Sequence, residues 1–486
     1  MEHLLDSLEP RELWGPFLEL SKIPRGTRNE AAAALWVADQ GRRLGCEVTQ
    51  DAIGNVLIRK RGFPGRERAP MVALQAHVDM VCEKNEGTAH DFLTDPIAVF
   101  RDGDLLRAEG TTLGADDGIG VAAALAVLES TDIRHGPLEV LITVGEEMGL
   151  TGAKGLQPGT LRAGLLLNLD SGHEGFLTVG CSGGLDSRAL RRVRFQPPGA
   201  GKVPFRLKVA GLKGGHSGGE INQGRGNAIQ ILARVLWSLV PALGLEIASL
   251  SGGGKRNAIA REAFALLFLD PGQEAALRAG LERMEGDLRA GLGTFDPGLS
   301  LALDRAQGVP DLQGVMAAQD AGRVVGFLFT MMHGVIAQSP VMPGLVQTST
   351  NLASVVTRPG EVEVGMSHRS SVASDKAAVA DRVAALCELA GFEFLPGEGY
   401  PGWQPDPGTP LAQVVAGAHA RVFGKAMQIR ATHGGLECGI IGQGHPGLQM
   451  VSFGPAMWDI HTPDEHLSIS SAAGFWKLLT TVLESL

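Results

Sequence analysis

At 486 residues the chain is longer than one hydrophobic core usually organises, so two domains are expected, and 44% hydrophobic residues can fill them. A formal net charge of -10 excludes the basic face that nucleic acid requires, and no polybasic stretch offers itself to a membrane surface. The first ten residues carry acids where a signal peptide carries positive charge, and the longest apolar runs, such as 121–128, fall short of the roughly 20 residues that span a bilayer. Five scattered cysteines (Cys46, Cys82, Cys181, Cys387 and Cys438) with no CxxC pair read as reduced thiols of a cytoplasmic protein.

Residues 10–45 carry apolar positions at helical spacing through Leu13, Phe17 and Leu20, and again through Ala32, Leu35 and Trp36. Pro24 and Gly26 break that pattern into two helices. Strand-like runs follow at 47–50 and 55–60, then at 71–75, where the composition suits a strand buried on both faces. Residues 119–130 read as a buried helix, and 138–144 and 165–169 as further apolar strands with a helix-sized connector between them. Such alternation implies an α/β domain with a mixed, mostly parallel sheet covered on both sides.

The pattern changes near 187, where a charged stretch leads into the breaker cluster Gln196-Pro-Pro-Gly-Ala-Gly201. Helices are expected at 227–240, 272–290 and 374–390, with strands near 263–269, 346–356 and 361–366. They suggest an inserted α+β domain of one or two sub-units, without a sequence repeat that marks duplication. Gly397-Glu-Gly-Tyr-Pro-Gly402 reads as the return linker, after which a helix at 410–423, strands near 427–431 and 448–453 and a last helix from Ser468 resume the α/β style. The expected division is therefore 1–186 and 399–486 for one domain, interrupted by 187–398.

The most informative block is Leu141-Ile-Thr-Val-Gly-Glu-Glu-Met-Gly149, an apolar strand running into two adjacent carboxylates. Neighbouring residues at a strand end point in different directions, so one carboxylate can bind a metal while the other handles a proton. His77 and Asp79, Asp116 and Asp117, Asp170 and His461 likewise fall beyond strand ends or in the loops that follow them, the edge where sites assemble in open α/β sheets. Alone, each has an ordinary explanation: a hydrogen-bonded histidine, a helix N-cap, a solvated acidic pair. Together, imidazole and carboxylate without cysteine suit zinc, manganese or cobalt in a two-metal hydrolase site. Gly118-Ile-Gly-Val-Ala-Ala123 matches a dinucleotide fingerprint only formally, since no apolar strand precedes it and two acids would repel a pyrophosphate.

His77-x-Asp79, Asp116-Asp117-Gly118, Gly145-Glu-Glu-Met-Gly149, Leu169-Asp170 and the late His461 resemble the M20 metallopeptidases in order and spacing. Ile23-Pro-Arg25, Asp51-Ala-Ile-Gly-Asn-Val-Leu-Ile58, the surroundings of His77 and Gly214-Gly-His-Ser-Gly218 narrow the resemblance to the aminoacyl-histidine (Xaa-His) dipeptidase group. It covers nearly the whole chain, with 272–340 matching nothing usable.

The resemblance implies a zinc-peptidase-type catalytic domain interrupted by an α+β lid domain, and two divalent metal ions, zinc first. Asp116 would bridge the ions, His77 and Asp170 completing one set and Glu147 and His461 the other. Glu146 would be the general base acting on a bridging water, with Asp79 orienting His77. The peptide after the bridging aspartate is expected to be cis. In the lid, His216 would approach the oxyanion, often from a partner subunit of a homodimer, while Asn257 and Arg369 would hold the substrate. The ordinary alternatives are a loop histidine, a turn asparagine and a surface ion pair. Glu437 would pair with a free α-ammonium, which makes short unblocked peptides, Xaa-His dipeptides above all, the expected substrates. An aminoacylase, a carboxypeptidase or a silent binding relative are the alternatives. His433, His445 and His466 are read as exposed loop residues.

Overall fold

Buried at every position, Val72–His77 and Leu138–Thr143 have no face to offer to solvent and must sit inside a covered sheet. The computed structural model describes residues 2–306 and 314–486. In it these strands join Leu165–Asn168 and Gln449–Ser452 as four adjacent parallel strands of an eight-stranded sheet. Val56–Lys60 flanks them antiparallel on one side and Phe176–Cys181 on the other, and Glu47–Gln50 pairs antiparallel with Val56–Lys60 at the edge. Helix Ala115–Glu129, buried from Ala115 to Leu128, packs on Val72–His77 and is backed by Arg11–Leu20. A separate cluster joins Ala73, Leu141 and Leu166 to Cys438 and Ile441 of helix Glu437–Gly444. Each such fully buried Val or Leu contributes about 1.5–3 kcal/mol. The connector before Leu165 holds only the five-residue helix Thr151–Gly155. No helix among the described residues is long and apolar enough to cross a membrane.

The chain divides into two compact units, one of Met1–Cys181, Trp403–Ala431 and Leu436–Leu486, the other of Ser182–Gly402 and Thr432–Gly435. The boundaries therefore differ from those read in the sequence. Position 187 lies inside the strand Gly183–Arg192, whose outward Asp186, Arg188, Leu190 and Arg192 alternate with buried Ser187, Ala189 and Arg191. Arg191 can be buried because Asp320 and the carbonyls of Ala390 and Gly391 accept its hydrogen bonds. The supposed return linker is largely the strand Glu393–Tyr400, paired with Gly183–Arg192. Thr432–Gly435, expected in the first unit, belongs to the second.

Strands of the second unit, such as Ala263–Leu269, alternate buried and half-buried residues and so cover one face only. They form a nine-stranded antiparallel sheet of two similar halves. In one, Val203–Ala210, Glu246–Gly253, Ala263–Leu269 and Ser300–Arg305 alternate with helices Ala228–Leu243 and Glu274–Leu292. In the other, Gly183–Arg192, Val346–Arg358, Glu361–Ser370 and Glu393–Tyr400 take helices Ala318–Thr330 and Ala373–Ala390. Each half runs strand–helix–strand–strand–helix–strand, with its strands ordered fourth, first, third, second. The halves join where Ser251, Gly252 and Gly253 pair with Val356, Val355 and Ser354. The first is inserted into the second through a neck in which Phe195–Gln196 pairs with Val315–Met316.

Candidate metal centre and its surroundings

His77 ends its strand, Asp79 follows two residues later, and Asp170 lies two beyond Leu165–Asn168. Glu146 and Glu147 leave Leu138–Thr143 through Gly145, whose φ of 61° favours glycine and whose close neighbour Thr151 leaves no room for a Cβ. Asp116 and Asp117 open helix Ala115–Glu129 with non-helical backbone angles, and the peptide between them is cis. His461 sits between the short strands Met457–Trp458 and His466–Ser468, with a positive φ of 65°.

The ligand atoms of His77, Asp116 and Asp170 lie within 4.8 Å of one another, as do those of Asp116, Glu147 and His461. Asp116 belongs to both sets, with Oδ1 3.2 Å from His77 Nε2 and Oδ2 3.3 Å from His461 Nε2. A third set joins His77, Glu146 and Glu147. His77 Nδ1 is 3.1 Å from the Asp79 carbonyl, a pure acceptor, so the ring proton is assigned to Nδ1. Its Nε2 then turns a lone pair toward Asp116 and toward Asp170, 4.0 Å away. Acceptors facing acceptors suit a cation. Glu147 Oε1 argues the same way: it is buried and receives no hydrogen bond, although His461 Nε2 is 3.0 Å away.

With the protein's own charges alone, burial pushes Asp170 well above the ordinary carboxylate range, and Asp116 adds to the shift. Burial, followed by Glu437 and Glu147, pushes Glu146 up to about 8. Asp116 and Glu147 drive His461 up to about 10. Asp116, between the two imidazoles, is instead held below the usual carboxylate range. A site that raises Asp170, Glu146 and its imidazole together is short of positive charge, and its nitrogen and oxygen donors fit divalent metal ions.

The Asp79 carboxylate does more than the sequence suggested. Its carbonyl, not its carboxylate, is the nearer partner of His77, with Oδ1 3.5 Å from Nδ1. The carboxylate instead accepts the N–H groups of Glu146 (3.0 Å) and Glu147 (3.3 Å) and the Thr27 hydroxyl (2.8 Å). Asp79 thereby orients all three neighbours. Glu437 is fully buried; its Oε2 accepts from Gln75 Nε2 (2.6 Å) and Thr143 Oγ1 (2.7 Å), while Oε1 has no hydrogen bond. Burial pushes it up to about 7. The glycine-rich start of helix Ala115–Glu129 cradles no phosphate, because Asp117 accepts the Gly120 N–H and Glu465 takes the N–H groups before it.

The second unit gathers its own candidates. Gly215–His216 pairs with Ala258–Ile259, and the Asn257 carbonyl accepts the Ser217 N–H (2.8 Å), so His216 and Asn257 adjoin. His216 Nδ1 accepts from Gly218 (3.2 Å) and Gly219 (3.1 Å), which leaves the ring proton on Nε2, available to donate. Burial and the Arg369 charge lower its pKa and keep the ring neutral. Arg369 is no surface ion pair: it is 7% exposed, no acid lies in ion-pair reach among the described residues, and its Nε has no hydrogen bond. One guanidinium nitrogen donates to the Tyr400 hydroxyl (3.2 Å).

The three competing histidines are not exposed loop residues. His433 is buried between the Ser182 and Ser349 hydroxyls, each at 2.7 Å, which is what draws Thr432–Gly435 into the second unit. His445 Nε2 accepts the Leu161 N–H and its Nδ1 donates to the Ile441 carbonyl. His466 is in a strand and stacks on Trp458. None of the three enters a ligand set. Sequence reasoning missed Arg25, Thr27, Glu465 and Tyr400. The only signals were Arg25 after Ile23-Pro24, Glu465 four residues beyond His461, and Tyr400 as the single tyrosine of the chain.

Comparison with known proteins places these features. Peptidase family M20/M25/M40 matches residues 73–485. The cytosol non-specific dipeptidase of Escherichia coli (strain K12) is 39% identical over 482 residues, 99% of each chain. The crystal structure of aminoacylhistidine dipeptidase from Vibrio alginolyticus shares 37% identity with a TM-score of 0.92, covering 99% of this chain and 98% of that one. Aminopeptidase PepT from Bacillus cereus, 18% identical with a TM-score of 0.57 over 98% of this chain and 99% of its own, shares the fold. Two overlapping ligand sets at one sheet edge and this full-length likeness converge: the chain belongs to peptidase family M20/M25/M40.

Proposed function

We propose that the protein is a two-metal dipeptidase hydrolysing short unblocked peptides, Xaa-His dipeptides among them. The observation that carries the reading is Asp116, shared by two ligand sets and facing an imidazole on each side. The names of the two full-length relatives, a non-specific dipeptidase and an aminoacylhistidine dipeptidase, support the substrate class.

His77, Asp116 and Asp170 would hold one ion and Asp116, Glu147 and His461 the other. Zinc is the first choice, with manganese or cobalt as alternatives; bound there, the ions would acidify water and polarise the scissile carbonyl. Glu146, whose burial raises its proton affinity, takes the proton of the attacking water and returns it to the departing amine. Asp79 fixes the backbone of Glu146 and Glu147. The unpartnered oxygen of Glu437 suits the substrate's α-ammonium. In the second unit, a proposed lid, the His216 Nε2 proton suits a developing oxyanion, Arg369 suits a terminal carboxylate, and Asn257, beside His216, would add a further polar contact. The Escherichia coli relative's name supports cytosolic residence. A homodimer is part of the proposal, checked by light scattering.

The test is hydrolysis of alanyl-histidine, β-alanyl-histidine and N-acetyl-alanyl-histidine by chelator-stripped protein, with zinc, manganese or cobalt restored. Cleavage of the free dipeptides alone, dependent on metal and falling about 10²–10⁴-fold in Glu146→Ala, is expected. Preference for the acetylated peptide would replace the reading with a deacylase or carboxypeptidase, and turnover without metal would end it.

A further inference from the structure

Glu465 stands outside every ligand set, yet it is only 3% exposed. No arginine or lysine among the described residues lies within ion-pair distance of its carboxylate, although the Arg25 charge is near enough to feel it. Instead Oε2 accepts the N–H groups of Leu113 (2.7 Å) and Gly114 (2.9 Å), and Oε1 those of Ala115 (2.8 Å) and Asp116 (3.3 Å). Four successive donors at a helix start converge on one carboxylate, and the positive end of the helix favours its charge.

Arg25, itself 2% exposed, grips the same segment from the other direction. One guanidinium nitrogen donates to the Gly114 carbonyl (2.5 Å), the other to the carbonyls of Val78 (2.9 Å) and Asp79 (3.3 Å). The Gly114 residue is therefore held at its N–H by a carboxylate that accepts and at its C=O by a guanidinium that donates. It takes a φ of 69°, and a Cβ there would run into Arg25 and Met80, so the grip requires glycine.

We infer that Glu465, with Arg25, is a positioning residue for the metal centre. It fixes the backbone of Asp116 against two other ligand segments: the His77–Asp79 turn, through Arg25, and the His461 loop, through its own place in the chain. The inference rests on the reading of Asp116 as the shared ligand. Glutamine at 465 would keep one acceptor oxygen and turn an amide group against two N–H donors; alanine would leave all four donors unpaired.

The experiment is calorimetric titration of zinc and manganese into chelator-stripped wild type, Glu465→Gln and Glu465→Ala, beside kcat and KM for alanyl-histidine. Amide exchange at residues 113–116 is followed in the metal-free proteins. Expected is a loss of affinity for both ions of about 10–100-fold in Glu465→Ala, a smaller loss in Glu465→Gln, kcat falling with little change in KM, and faster exchange at 113–116. The glutamine variant keeps the question open to measurement should the alanine variant fail to fold. Wild-type metal affinity and wild-type exchange in both variants would overturn the inference alone. A wild-type protein that binds no divalent ion would overturn the metal reading, and this inference with it.

Discussion

The two units treat buried ionisable groups in opposite ways. The first concentrates the buried Asp79, Asp116, Asp117 and Glu437 with the half-buried Glu146, Glu147 and Asp170 at one sheet edge, with two imidazoles and no lysine among them. The second buries His368 and His433 and partners both with hydroxyls. His368 lies between Ser187 (2.7 Å) and Thr350 (2.8 Å), and His433 between Ser182 and Ser349. A hydroxyl both donates and accepts, so it completes a neutral imidazole without adding charge; a carboxylate accepts only. One unit is thus short of positive charge until cations arrive, whereas these two imidazoles of the other are satisfied as folded.

Removing divalent ions should break that contrast most visibly. With ions held at 100 to 1,000 times their dissociation constant, stripping them is expected to lower the first unit's stability by about 3–4 kcal/mol per ion and leave the second unit's transition in place. Scanning calorimetry with and without chelator checks this, and an equal shift in both transitions would erase the distinction.

Acid should act the other way. Burial lowers His333 and His368 to about 4 and His433 to about 3, against an ordinary value near 6.5. Between about pH 6.5 and 4 the unfolded chain takes up protons that these folded imidazoles refuse, so the second unit loses stability as pH falls through that window. Above about pH 7 the contribution is fully present. Each histidine accounts for up to about 3 kcal/mol at the acid end. Denaturant unfolding of the metal-free protein across pH 4–8 measures it, and a second unit indifferent to that range would refute the account. The smallest effect belongs to His433→Ala, which strips two serines of their partner and should cost the second unit about 1–3 kcal/mol in the same assay.

The metal-centre candidates were legible because each sits in a short contiguous motif at a strand end. His77 with Asp79, Asp116 with Asp117 and Glu146 with Glu147 can be read without knowing the tertiary fold. Glu465 and Arg25 could not be read so. Their partners are backbone N–H and C=O groups, which leave no residue-type signature, and Glu465 meets Asp116 from far along the chain. Gly183–Arg192 was misjudged because its arginines suggested a surface boundary, where the period of two marks a strand. The paired halves of the second unit leave no repeat in the sequence, since an antiparallel sheet asks only for alternation and tolerates almost any residues that supply it.

The neck between Phe195–Gln196 and Val315–Met316 also bears on the order in which the chain is made. When Arg305 has emerged from the ribosome, Val203–Ala210, Glu246–Gly253, Ala263–Leu269 and Ser300–Arg305 already hold one another's partners. Gly183–Arg192, synthesised before any of them, has none until Glu361–Ser370 and Glu393–Tyr400 appear. The oldest strand of the second unit is thus the last to be paired on both edges, and throughout synthesis it is the open edge that a chaperone, or a neighbouring nascent chain, would meet first.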